Sequence, residues 1–222
     1  MQDSTIPYYD VHTHNPVESD AVVSIHNIIW QQDMQRFSGT ERMYSLGMHP
    51  WYLQKDWEGQ LLSMEHKVHE HSVKAIGEIG LDRACHSDWS LQTEVFMAQL
   101  EIAERLAKPV IIHSVRSYFD MIEIKKTFKP LVPWILHGYN GNLQTTKQLV
   151  RHGFLFSLGA NLLNSTNLQS LLKMIPLPSL LLETDESRES IVHIYKKTAQ
   201  INNLDPEQLK KIIHSTFIRL FP

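Results

Sequence analysis

Eight short apolar runs recur along this chain, and segments with helical periodicity separate most of them. The runs carry Val, Ile, Leu and Phe on successive residues, which is typical of strands buried on both faces of a parallel sheet. They lie near residues 8–14, 21–28, 43–49, 73–81, 109–114, 134–138, 154–159 and 179–185. Eight such alternations of strand and helix predict an α/β fold, specifically a (β/α)₈ TIM barrel.

Two helices carry clear signals, and one connection is too short to hold a helix. The segment 88–107 places four apolar residues on one predicted face, namely Phe96, Leu100, Ala103 and Ala107. The last helix is predicted to begin at Asp205, with Pro206 and Gln208 completing the start signal. Only a short stretch separates His14 from Val22. The sequence therefore predicts a shortened first β/α unit, with a bare loop as its crossover.

Size and charge narrow the function classes. With 222 residues and 42% hydrophobic content, we expect one domain over residues 1–222. A net charge of -3 excludes a strong overall basic field, so an anionic substrate must be held by local groups or by a metal. The single Cys85 excludes an internal disulfide. No signal peptide or membrane span is evident, which predicts a soluble, cytoplasmic protein, and no obligate protein partner is inferred.

Six histidine and carboxylate residues are predicted at the carboxyl ends of strands, where the active sites of such barrels lie. All six are residue types that bind first-row metals: His12, His14, Glu78, His113, His137 and Asp185. Any one of them has an ordinary structural explanation, because a single strand-end histidine is more often a hydrogen-bonded barrel residue. Four imidazoles and two carboxylates in one ring of strand ends favour a metal site.

The first two of these histidines have a built-in control elsewhere in the chain. Residues two apart on a strand face the same side, so His12 and His14 can reach one ion. His69 and His71 have the same spacing but lie in a polar, helix-like stretch. Residues two apart on a helix point away from each other. We therefore predict that His69 and His71 are surface residues.

Six short motifs surround the candidate ligands in a fixed order: "DVHTH", "SLGMHP", "AIGEIGLD", "PVIIHS", "LHGYNG" and "LLETD". This ordered set resembles the TatD-related branch of the metal-dependent amidohydrolase superfamily, from Asp10 to Phe221. The resemblance implies a site with two divalent metal ions. One ion would be held by His12, His14, Glu78 and Asp185, and the other by Glu78, His113 and His137, so that Glu78 bridges them.

The resemblance also implies a mechanism. Two ions, which could be Zn, Mn, Mg, Fe or Ni, lower the pKa of a bound water and clamp the attacked group. Asp185 is predicted to accept the proton of that water, so Asp185 and Glu78 are the predicted catalytic residues. Asp10 has two readings of equal weight: it supports the His12 ligand, or it faces the barrel floor.

Four residues are predicted to contact the substrate. His49 in "GMHP" resembles the substrate-contacting histidine of the family. Arg83 stands in "GLDR" where the family has an aromatic residue, and it is a candidate phosphate contact. Arg116 comes one position later than the arginine that the family pattern leads us to expect, and Arg188 lies in the altered loop "ESRE". These differences from the family motifs do not affect the predicted metal ligands. They lie at positions expected to form the substrate pocket.

Three functions follow, in decreasing order of support. The first is hydrolysis of phosphodiesters in DNA or RNA, because the resembled family is chiefly associated with deoxyribonuclease activity. The second is hydrolysis of an amide, ester or lactone in a small molecule by the same metal chemistry. The third, a barrel that binds without catalysing, is disfavoured because every ligand position is filled. Trp51 and Tyr52 would either stack on a nucleobase or pack at the root of their loop.

Overall fold

Eight parallel strands form one sheet in this computed structural model, which describes residues 6–38 and 42–222. Their order in space is their order in the chain, and each strand pairs with the next. The strands are β1 (Tyr8–Thr13), β2 (Val22–Ile29), β3 (Met43–Gly47), β4 (Val73–Asp82), β5 (Val110–Val115), β6 (Trp134–Leu136), β7 (Leu155–Leu158) and β8 (Leu180–Leu182). An isolated parallel bridge from Thr13 to Asp185 joins the first strand to the segment after the last. The predicted (β/α)₈ barrel is confirmed.

The described residues contain seven α-helices, which follow β3 to β8. They are α1 (Trp57–Val68), α2 (Trp89–Arg105), α3 (Tyr118–Phe128), α4 (Leu143–Arg151), α5 (Thr166–Leu172), α6 (Ile191–Ile201) and α7 (Pro206–Leu220). The start of α7 is confirmed, because Asp205 and Gln208 form a capping box in front of Pro206. None of these helices has the length and apolarity that crossing a lipid bilayer requires.

Two crossovers, not one, lack an α-helix in the described part of the chain. The loop between β1 and β2 contains none, as its length predicts. Between β2 and β3, the described residues contain only the short 3-10 helix Met34–Arg36. The second short unit was not predicted. The segment "QQDMQRF" shows neither the apolar period of a helix nor that of a strand, so the sequence does not distinguish a loop from a helix there.

Two local predictions were wrong in detail. Ala107 is exposed and lies outside α2, because a Schellman motif ends the helix before it. In that motif, the amides of Ala107 and Lys108 donate to Glu104 and Ala103 at 3.2 Å and 3.0 Å. His69 and His71 lie at and beyond the end of α1 instead of inside it, although both are exposed, as predicted.

The barrel interior is apolar except at the carboxyl ends of the strands. There, buried polar side chains replace the aliphatic residues that fill the rest of the sheet. The buried polar residues at this end include Asp10, His12, Asn27, Ser45, Glu78, Asp82, His113 and Glu183. Since a buried polar group is costly without a partner, this concentration marks the functional end of the barrel.

Candidate metal centre

All six predicted ligands lie at or near the carboxyl ends of the strands, and the side chains of the other five meet around that of Glu78. One carboxylate oxygen, Oε2, faces the histidines of β1, at 3.4 Å from Nε2 of His12 and 3.9 Å from Nε2 of His14. Asp185 completes this side, because its Oδ1 is 3.6 Å from His12 and 3.7 Å from His14. His12 and His14 therefore do share a face, as the strand alternation predicts.

The other carboxylate oxygen of Glu78 faces a second set of histidines. Oε1 lies 2.6 Å from Nδ1 of His113 and 2.6 Å from Nε2 of His137. Nε2 of His49 is 3.3 Å from the same oxygen. Glu78 thus stands between two groups of nitrogen donors, with one oxygen directed at each.

The donor set fits a divalent metal. Ligand atoms within 4.8 Å of one another form three groups: His12, Glu78 and His137; His12, His14 and Asp185; and His49, Glu78 and His113. Within the described residues, neither ring nitrogen of the buried His12 has a hydrogen-bond partner, which is costly unless a bound ion engages the ring. Imidazole and carboxylate together suit first-row divalent ions.

The charges of the cluster keep its carboxylates ionised. Burial raises the pKa of Glu78, but the charge of His137, the hydrogen bond with His113 and the nearby ring of His12 outweigh it, so the pKa lies well below the ordinary value. Burial likewise raises the pKa of Asp185, and interactions with His12 and His137 bring it below the ordinary value. Both carboxylates are therefore available as ligands at neutral pH.

The backbone at two positions is shaped for this cluster. Gly80 has φ 155° and lies against β5, where a Cβ would collide with the carbonyl oxygen of His113. Asp185 has φ 55°, a left-handed conformation that Asp tolerates better than most residues. Its amide donates to the His12 carbonyl at 2.9 Å, and the His14 amide donates to its carbonyl at 3.0 Å. These bonds hold Asp185 beside the two histidines.

Comparison with known proteins identifies the family. A sequence model described as "TatD related DNase" matches residues 20–222. The chain belongs to this family. An uncharacterized metal-dependent hydrolase of Haemophilus influenzae is 26% identical over 212 residues, which cover 86% of this chain and 81% of that protein. Human deoxyribonuclease TATDN3 is 28% identical over 167 residues, covering 67% of this chain and 60% of that protein.

A solved structure agrees with the fold. The Escherichia coli TatD homologue YjjV has a TM-score of 0.85 at 21% identity, with 98% of both chains covered. The predictions of a TatD-related chain, a TIM barrel and a metal-dependent hydrolase are confirmed.

Two histidines of this TatD-related site each lie beside a further carboxylate that was not predicted from the sequence. Nε2 of His113 is 3.0 Å from Oδ2 of Asp82, and Nδ1 of His137 is 3.5 Å from Oε1 of Glu183. Such partners orient a ligating histidine and raise its basicity. The signal was in the alternation, because Asp82 follows Glu78 by four residues and Glu183 precedes Asp185 by two.

Two further supporting residues lie on β1 and β2. Asp10 accepts bonds from the amide and hydroxyl of Thr184 at 2.9 Å and 2.6 Å, and burial raises its pKa to about 7. Asp10 therefore holds the segment that carries Asp185. Asn27, which the sequence reasoning did not single out, donates to Oε2 of Glu78 at 3.4 Å and accepts from Ser45 at 3.0 Å.

The four predicted substrate contacts are placed differently. His49 is buried in the cluster, whereas Arg188 is exposed and lines a cavity of about 1040 Å³ beside His14. Arg83 forms a bidentate ion pair with Asp120, at 3.1 Å and 2.7 Å, so its guanidinium is engaged there. Arg116 is exposed just beyond β5, where a φ of 53° turns the chain.

Proposed function

We propose that this chain hydrolyses phosphodiester bonds in nucleic acid, with DNA as the foremost substrate, at the cluster around Glu78. The observation that carries the proposal is the position of Glu78, whose two oxygens each face a separate set of histidines. Two relatives, human TATDN3 and the Tat-D protein of Schizosaccharomyces pombe, are named deoxyribonucleases, which supports the substrate class. One domain in a cytoplasmic location is part of this proposal.

His12, His14, Glu78 and Asp185 would hold one divalent ion, and Glu78, His113 and His137 the other. Ions bound there would lower the pKa of a water and neutralise charge that develops on the attacked phosphoryl group. Because such a donor set accepts Zn, Mn, Mg, Fe and Ni, the identity of the metal is left to experiment.

Asp185 is the best-placed proton acceptor of the cluster. Its side chain is 40% exposed, whereas that of Glu78 is 4% exposed, so Asp185 is the carboxylate that water at the barrel mouth reaches. Its lowered pKa keeps it ionised and ready to receive a proton.

His49 is arranged as a hydrogen-bond donor to the substrate. Its Nδ1 accepts the amide of Trp51 at 3.2 Å, so in the neutral ring the proton is on Nε2, which faces Glu78. Burial lowers the pKa of His49 and keeps the ring neutral. A donor directed into the cluster suits a phosphoryl oxygen better than it suits a metal ion.

The experiment is release of nucleotides from end-labelled single-stranded DNA with Mn²⁺ or Mg²⁺. We expect activity in the wild type and a loss of roughly 100-fold or more in Glu78→Ala and Asp185→Asn. Glu101→Gln, at an exposed position on α2, is the matched control and should keep full activity. A metal-loaded wild type that leaves DNA, RNA and model phosphodiesters intact would overturn the proposal and direct the search to amides, esters and lactones.

A further inference from the structure

Trp51 is a large apolar side chain that the fold leaves exposed at the rim of the metal centre. It is 55% exposed, although it directly follows the buried pair His49 and Pro50. Its ring meets the rings of His49 and His113 edge to face, with centroids 5.0 Å and 5.8 Å away. Packing in the core does not account for an indole in this position.

A hydrogen bond fixes the indole relative to a predicted metal ligand. Nε1 of Trp51 donates to Oδ2 of Asp82 at 2.6 Å, and the same oxygen is 3.0 Å from Nε2 of His113. Asp82 is itself held in place, because Gln92 pairs with both its amide and its carbonyl group, at 2.8 Å and 3.1 Å. Trp51 is therefore a pre-oriented surface ring, and it costs little entropy to use in binding.

A recess lies beside the indole. Its volume is about 430 Å³, its walls are mainly apolar, and it is lined by Trp51, Asp82, Ala84, Cys85, His86 and Val115. That volume is within the range of small-molecule sites and accommodates a planar heterocycle. Arg116, an exposed cation, directly follows Val115 in the chain.

We propose that this recess binds the nucleobase next to the bond that is cut, with Trp51 stacked on its face. The proposal rests on the proposed function and names what the substrate presents beside the scissile phosphate. Aromatic side chains bind the bases of single strands by stacking, which tolerates every base because each has a π-face. The shared contact with Asp82 places the stacking ring beside His113, and Arg116 suits the adjoining backbone phosphate.

The test combines one substitution with one missing base. Single-stranded oligonucleotides carry an abasic residue at each position around the cleavage site, and kcat/KM is measured for wild type, Trp51→Ala and Trp51→Phe. We expect the wild type to lose about tenfold or more when one particular base is absent. Trp51→Ala should lower kcat/KM by the same factor on the intact strand, and removing that base should lower it no further.

Two variants separate stacking from a structural role. Trp51→Phe keeps a ring but loses the bond to Asp82, so stacking predicts that it retains the preference for the intact strand. Leu62→Ala, an exposed residue on α1, is the control and should match the wild type. The proposal is overturned if Trp51→Ala remains as sensitive to the missing base as the wild type, or if Trp51→Phe behaves like Trp51→Ala.

Failure of the proposed function gives a different result. If the wild type cuts no strand with any metal, the nuclease proposal falls. The affinity for intact and abasic oligonucleotides, measured by fluorescence anisotropy, then decides the recess separately. If the wild type binds both strands equally tightly, the proposed role of the recess is overturned. If the wild type binds the intact strand more tightly and Trp51→Ala abolishes this difference, the role is supported.

Discussion

Glu183 is a buried carboxylate that contacts one backbone amide and one histidine of the cluster. Its Oε1 accepts the amide of Gly138 at 2.6 Å and lies 3.5 Å from His137. Glu183→Gln keeps an acceptor for the amide but removes the charge that polarises the imidazole. We expect metal affinity to fall about 10- to 100-fold, measured by competition with a coloured chelator. Glu101→Gln, at an exposed position on α2, should change nothing, and equal affinities in all three proteins would contradict the assignment.

His26 makes stability depend on pH. It is buried on β2, and burial together with the charges of Arg36 and Arg42 lowers its pKa from 6.5 to about 4. Between these values the unfolded chain binds the extra proton, so the stability contributed by neutral His26 is complete above pH 6.5 and is lost as pH falls towards 4. We expect His26→Asn to remove roughly 2–3 kcal/mol of this pH dependence from the free energy of unfolding.

The measurement for His26 is urea unfolding of metal-free protein at several pH values. His71→Asn is the matched control, because His71 is exposed and should leave the profile of the wild type unchanged. Parallel profiles for the wild type and His26→Asn would show that His26 is not responsible.

The positions of the predicted ligands followed from the sequence residue by residue, whereas the partners of the supporting carboxylates did not. His12, His14 and Asp185 were predicted as ligands from their strand-end positions and residue types, and the structure brings the three side chains together. Alternation places Asp82 and Glu183 on the same side as Glu78 and Asp185, but only the fold shows that they meet His113 and His137, which come from other strands. Arg83 has a guanidinium suited to phosphate, but only the fold shows that Asp120 already pairs with it.

Helix α2 holds two loops of the barrel mouth with a pair of buried glutamines. Gln99 accepts the amide of Met48 at 2.7 Å and donates to its carbonyl at 3.2 Å, and Gln92 does the same for Asp82. The two lie seven residues apart and so share one face of the helix. Each glutamine thus satisfies the backbone amide and carbonyl groups at the end of a strand. Gln99 thereby orients His49, which follows Met48, and Gln92 orients Asp82.

Gln99→Leu tests this role of α2. The change leaves the amide and carbonyl of Met48 buried without partners, so we expect the free energy of unfolding to fall by about 2 kcal/mol in urea titrations. Gln200→Leu on the exposed face of α6 is the control and should stay within about 0.5 kcal/mol of the wild type. A Gln99→Leu protein as stable as the wild type would show that water or a shifted loop satisfies these groups.

The number and order of the strands were predicted more closely than the residues at which they end. Strands β6 and β8 are shorter than their apolar runs suggest, because positive φ angles at Gly138 and Asp185 turn the chain soon after each strand ends. The same turns carry His137 and Asp185 into the cluster. Hydrophobic patterning records what is buried, whereas the point where a strand stops depends on contacts with its neighbours.

The molecule as a whole has a net charge of -3, so an anionic substrate must be held by local groups or by a metal, not by an overall basic field. The topology explains how local chemistry arises there, since parallel strands bring residues far apart in sequence to one edge. The Asp185 amide donates a hydrogen bond to the His12 carbonyl across the closure of the barrel. A ligand that binds both also ties the first strand to the last.

The number of metal ions that each chain binds tests the proposed two-metal site most directly. Protein stripped with a chelator is dialysed against Mn²⁺, and the bound metal is measured by atomic emission for the wild type, His113→Ala and Glu78→Ala. We expect two ions in the wild type, about one in His113→Ala, and a loss of both sites in Glu78→Ala, because one oxygen of Glu78 faces each proposed site. One ion or none in the wild type, or two retained without Glu78, would contradict the proposed two-metal site.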